Sequence, residues 1–237
     1  MLGSEVMDMF SRILFAVDDD EALAGAVPVV AAYARTLGAE VRVLHVHRIG
    51  AAAANGANRR LVQTVVDRLR LAGVRADGEI RLLDHGGPIG PAIADAATRE
   101  GADLVAIGSH GRSDLGGLFL GSVSHDASGG LSLPVLVLRA ACTAPAAPAK
   151  VLVGVDGSAA SDEAVTEAAE IAASFGATVV VVHVDQLFVA EGVAIVEPEE
   201  EARAVLHRAV EAVAGRGVRA TADAPVDHSA TMPTSWC

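Results

Sequence analysis

A doubly wound α/β fold, with a five-stranded parallel sheet followed by an incomplete second copy of itself, is what this 237-residue sequence predicts. Three observations carry that prediction. Apolar runs of strand length alternate with helical stretches, the strands are apolar on both faces, and the pattern restarts about two thirds of the way along the chain. Continuous apolar strands belong to parallel sheets covered by helices on both sides, and strand–helix alternation selects the α/β class. Composition agrees: hydrophobic residues make up 51% and aromatics only 3%. The cores are therefore built from Ala, Val, Leu and Ile, which suit helices packed closely on a β-branched sheet.

In the first copy the strand candidates are Ile13–Val17, Val41–Val46, Val74–Ile80, Leu104–Ile107 and Val135–Leu138. Helices are predicted over Asp20–Leu37, Asn58–Ala72 and Pro88–Glu100, with Gly38, Gly73 and Gly101 placed where helix C-termini favour glycine. A shift of 138 residues lays Ile13-Leu14-Phe15-Ala16-Val17-Asp18 on Val151-Leu152-Val153-Gly154-Val155-Asp156, Gly38 on Gly176 and His45-Val46 on His183-Val184. After a small insertion, Gly73-Val74-Arg75-Ala76 recurs as Gly217-Val218-Arg219-Ala220 at a shift of 144. The chain is read as a tandem duplication. Its expected divisions are a first domain over 1–139, a Pro/Ala-rich linker over 140–149, a partial second domain over 150–224 and an irregular tail over 225–237.

The second copy predicts strands at Val151–Val155, Val179–Val184 and Val218–Ala222, with helices over Ser161–Phe175 and Glu197–Ala214. Counterparts of the fourth and fifth strands are missing, so this copy is expected to be truncated and its tail disordered. A half-sheet cannot shield its own apolar strands, and an unpaired edge invites another chain. The expectation is a homodimer or a weakly stable second domain.

Charge narrows the function. A formal net charge of −12 argues against nucleic acid and against an anionic membrane surface, both of which need clustered Lys and Arg. The N-terminal stretch lacks the basic region and apolar core of a signal peptide, and no run approaches the ~20 apolar residues of a membrane span. Cys142 and Cys237 indicate no disulfide framework. The expected location is cytoplasmic.

The strongest local motif follows the fourth strand: Gly108-x-x-Gly111, nine residues, then Gly121-Ser122 opening a helical segment. A strand–loop–helix unit gathers backbone N–H groups and a helix N-terminus into one concavity, where phosphate oxygens are received. Glycine allows the close approach, Ser122 adds a hydroxyl, and Ser109 and Arg112 can each add a contact. No Lys follows the glycines, so this is not a Walker loop. On spacing alone, a long flexible turn explains the glycines equally well. Gly86-Gly87-x-x-Gly90 reads as a connector into a helix. His45 and His47 lack a thiol or carboxylate cluster that would make them metal ligands. Ser/His/Asp catalysis has no supporting context such as a G-x-S-x-G elbow.

The pattern G-x2-G-x9-G-S, with strand ends Ala16-Val17-Asp18 and Leu44-His45-Val46 and the final Leu133-Pro134-Val135-Leu136-Val137-Leu138-Arg139, resembles the ATP-binding branch of the universal stress protein family. The second copy opens similarly with Gly154-Val155-Asp156-Gly157-Ser158. The resemblance implies a sheet order 3-2-1-4-5 and an adenine-nucleotide site at the end of strand one, Ala16-Val17-Asp18. In it, Asp18 contacts the adenosine portion and Val46 gives backbone contacts to adenine. Gly108, Gly111, Gly121, Ser122 and Val123 hold the phosphates, and Ser109 and Arg112 are added to the candidate site by the loop chemistry above. Asp18 also has a purely structural reading, as a cap of the helix that follows. Two departures from the family pattern stand out: Ala16 replaces a frequent glycine, and Asp19-Asp20 replaces Gly-Ser. These carboxylates repel a triphosphate unless they point to solvent or a divalent cation such as Mg2+ intervenes. Three functions remain open: an ATP-binding regulatory protein, an adenylyl- or phosphoryl-transferring enzyme, and an interaction module without nucleotide. The loop offers an enzyme only Arg112 as a base.

Overall fold

The structure, a computed structural model, describes residues 10–18, 20–48, 55–83, 87–109, 133–139, 147–184, 187–190, 193–196 and 198–223. The chain divides into two units, Met1–Ala146 and Ala147–Cys237. The first contains β1 (Arg12–Ala16), α1 (Asp20–Leu37), β2 (Glu40–Arg48), α2 (Asn55–Leu71), β3 (Ala76–Leu83), α3 (Ile89–Glu100), β4 (Leu104–Ser109) and β5 (Val135–Arg139). Its strands form one parallel sheet in the order β3-β2-β1-β4-β5. The second contains β6 (Lys150–Val155), α4 (Ala159–Phe175), β7 (Thr178–His183), β8 (Leu187–Ala190), β9 (Val193–Val196), α5 (Glu199–Ala214) and β10 (Ala220–Asp223). Here a three-stranded parallel sheet runs β10-β7-β6, and β8 and β9 form a separate antiparallel hairpin.

Alternation along each strand sorts the first core into two layers. Leu14, Ala16, Leu44, Val105 and Ile107 face one side and pack with Ile93, Ala96 and Ala97 of α3. Phe15, Val43 and Gly78 lie on the other side, in register with one another, and α2 covers that side. Gly78 shows how closely: an added Cβ overlaps Val62 Cγ1 and comes within 3.1 Å of Val66 Cγ2. Gly78→Ala is therefore expected to cost about 1–3 kcal/mol by overpacking, measured by denaturant unfolding.

Element boundaries differ from the sequence expectation where caps intervene. Val74 is not in β3; its amide bonds to the Leu69 carbonyl at 3.0 Å and closes α2. Pro88 and Pro198 are N-caps, so α3 begins at Ile89 and α5 at Glu199. Gly101 takes the left-handed conformation, φ 64°, and its amide reaches the Ala97 and Thr98 carbonyls. The expectation of strands apolar on both faces fails at β3. This edge strand carries Asp77, Glu79 and Arg81 and is only partly buried. Its acids pair with basic residues nearby: Arg42 lies 2.6 Å from Asp77, and Arg99 lies 2.7 Å from Glu79.

Registers show the duplication directly. Arg12 pairs with Glu40 as Lys150 pairs with Thr178, and Val41 pairs with Ala76 as Val179 pairs with Ala220. The hairpin β8–β9 falls between β7 and α5, where the repeat shift changes from 138 to 144, and the sequence reading did not anticipate it. Two residues, Glu191 and Gly192, separate its strands. In the second unit α4 and α5 pack together on the face of Val153, Val155, Val179 and Val181. On the opposite face Leu152 is 47% exposed and Val184 68%, with no described helix against them, whereas Leu14, the counterpart of Leu152, is 0% exposed. Among the described residues, no strand follows β10 and β6 pairs only with β7. The predicted tail lies outside the described residues.

Candidate functional site

β1 and β4 are central neighbours, and from them the connections run toward opposite edges of the sheet, which makes their C-terminal ends the topological switch point. Ala16 pairs with Leu44 on one side and with Ile107 on the other. Val17 and Asp18 therefore project past the ladder beside Gly108 and Ser109, the last two residues of β4, which pair in turn with Leu138 and Arg139. Asp18 is exposed and makes no hydrogen bond or ion pair with any described residue. It makes no helix-capping bond among them either. Val46 is partly buried against the cluster that α3 covers. The remaining predicted contacts, Gly111, Arg112, Gly121, Ser122 and Val123, lie outside the described residues, as does Asp19.

A residue set aside in the sequence as a weak metal candidate has a definite place here. His45 is buried, 5% exposed, and its Nδ1 donates to the Val17 carbonyl at 2.9 Å. His183, 2% exposed, repeats this with the Val155 carbonyl at 2.7 Å. The signal was present in the sequence as the recurrence of His45-Val46 in His183-Val184. His47 stacks on His45 with ring centroids 6.2 Å apart. No group of His, Cys, Asp or Glu that could hold a metal ion occurs among the described residues.

The second unit shows the same strand end, with no counterpart of β4 beside it among the described residues. Asp156 Oδ1 accepts from the Ser158 amide at 2.9 Å, and the Ser158 hydroxyl accepts from the Ser161 amide at 3.2 Å, capping α4. Hydrogen bonds from Ser158 hold the Asp156 carboxyl below its ordinary pKa. Gly157 turns the chain at φ 80°, a conformation side chains resist. Its counterpart by the repeat shift is Asp19.

Fold and strand order together define a doubly wound α/β protein whose topological switch point lies at the C-terminal ends of β1 and β4. The sequence matches the universal stress protein family over residues 9–139 and 149–232, and the chain belongs to that family. A relative from Thermus aquaticus, described as the universal stress protein in the QAH/OAS sulfhydrylase 3' region, is 32% identical over 139 residues, covering 55% of this chain and all of the relative. Among solved structures, a universal stress protein from Archaeoglobus fulgidus covers 90% of this chain and 76% of its own, with a TM-score of 0.67 at 19% identity. One from Pseudomonas aeruginosa covers 93% of this chain and 76% of its own, with a TM-score of 0.59 at 18% identity. These two likenesses concern the fold. No described helix is long and apolar enough to cross a membrane.

Proposed function

We propose that the chain is a cytoplasmic, ATP-binding regulatory protein of the stress response, holding one nucleotide in its first unit. The observation that carries this reading is the pairing of Ala16 with Ile107, which sets Asp18, exposed and without a partner among the described residues, beside Gly108 and Ser109 where the glycine motif begins. Asp18 takes the ribose, Val46 the base, Ala16 and Val17 line the strand end, and Gly108, Ser109, Gly111, Arg112, Gly121, Ser122 and Val123 take the phosphates. Mg2+ accompanies the triphosphate and offsets Asp19 and Asp20. The second unit, with Asp156 but no glycine motif, holds no nucleotide of its own.

Calorimetric titration with ATP, with and without magnesium, tests the reading. Two unit charges about 4 Å apart in water interact by ~1 kcal/mol. Asp19→Gly with Asp20→Ser, which restores the second copy's residues, is therefore expected to tighten magnesium-free binding about tenfold. No heat from the unaltered chain refutes the reading and leaves an interaction module; turnover with an acceptor substrate replaces it with an enzyme.

The partner proposed for the second unit is a second copy of the chain. Supporting this, among the described residues β6 is unpaired along the side where β1 is paired with β4, and a two-fold mate presents the same edge in antiparallel sense. A sedimentation profile that is monomeric at every concentration refutes it.

A further inference from the structure

We infer that His45 is a positioning residue for base recognition: its ring takes the place of the Val46 amide at the Val17 carbonyl and leaves the Val46 peptide groups to the nucleotide. This rests on the proposed ATP site. The reasoning starts from ladder geometry. The Glu40 amide bonds to Ser11 and the Val41 amide to Arg75, so even-numbered residues of β2 turn their peptide groups toward β1 and odd-numbered ones toward β3. Val46 therefore faces the β1 side. The ladder on that side ends with Ala16 opposite Leu44 and a last bond from the Val17 amide to the Leu44 carbonyl, 2.8 Å.

One step further, a continuing parallel ladder brings the Val46 amide to the Val17 carbonyl. That bond is absent, and His45 Nδ1 donates to the carbonyl instead, at 2.9 Å. Val17 is 6% exposed, so its carbonyl needs a donor as β1 leaves the sheet. An imidazole supplies the donor and spares the amide. Both Val46 peptide groups are then directed past the end of β1, one a donor and one an acceptor, a pair that matches the edge of adenine. The bond from His183 to the Val155 carbonyl is the same device in a unit without the glycine motif. It serves as an internal control.

The test uses the full chain. His45→Leu removes the donor, and the Val46 amide is expected to turn to the Val17 carbonyl. ATP affinity is expected to fall about tenfold, the loss of roughly one hydrogen bond, while affinity for inorganic tripolyphosphate stays unchanged. His45→Asn, whose amide nitrogen lies near the place of Nδ1, is expected to restore ATP binding, and His183→Leu to leave it unaltered. Hydrogen exchange at the Val46 amide is expected to slow in His45→Leu. Equal losses for ATP and tripolyphosphate, or unchanged Val46 exchange, overturn the inference. If the unaltered chain binds no ATP, the proposed function fails instead, and the exchange measurement still decides whether the imidazole replaces the amide.

Discussion

Replacing Gly121 with Asp is expected to abolish calorimetric ATP binding, an effect of at least a hundredfold, while the first unit melts as before. If backbone N–H groups of the glycine motif receive the phosphates as proposed, they do so at close range, and a side chain at its third glycine takes up space the ligand needs. In the proposed site, a carboxylate there adds like charge to the acidic run Asp18-Asp19-Asp20. A unit charge about 4 Å from the ligand opposes it by about 4 kcal/mol at an effective dielectric of 20, against ~1 kcal/mol in open water. Charge repulsion therefore exceeds the loss of any single hydrogen bond, which is worth about 1 kcal/mol. Circular dichroism and thermal melting of the variant report folding separately. Retained affinity in a folded variant places the phosphates elsewhere.

Leu14→Ala is expected to destabilise the first unit by about 2–5 kcal/mol, lowering its melting temperature by roughly 5–15 °C. Leu152→Ala, at the matching position of the second unit, is expected to cost about 1 kcal/mol or less. The contrast isolates burial from sequence. Both leucines occupy the second residue of a matching apolar strand run, yet Leu14 is fully enclosed beneath α3 and Leu152 is 47% exposed. Truncating the first removes packed contacts and leaves a cavity; truncating the second gives back surface already in water. Denaturant unfolding of each full-length variant, followed by probes in each unit, measures the difference. A large loss at Leu152 shows that its face is covered in solution.

Much of this architecture was legible in the residues. Apolar runs located β1, β2, β4 and β5, and the repeat located β6, β7 and β10 before any coordinates. Caps were harder, because Val74 and Val218 are apolar and strand-like, yet each follows a glycine turn that must finish before the sheet begins. β3 misled for a related reason: Asp77, Glu79 and Arg81 suit an edge beside Arg42 and Arg99, and periodicity alone does not distinguish an edge from a centre. The hairpin β8–β9 was hidden because comparison of the two copies registers it only as a gap. Asp18 and Gly108 lie at the ends of β1 and β4, where the sequence reading put them, whereas the bond from His45 to the Val17 carbonyl depends on where β1 leaves the ladder.

The hairpin bears on how such a protein can change. The second copy is six residues longer than the first between β7 and β10, and the pairings on either side keep the same frame. Length is thus free to vary at the C-terminal rim of the strands without disturbing the layers beneath. That rim is also where ligands meet an open parallel sheet. A lineage can therefore remodel what it recognises by lengthening one connection, and an engineer can graft a binding loop at residues 185–197 on the same terms.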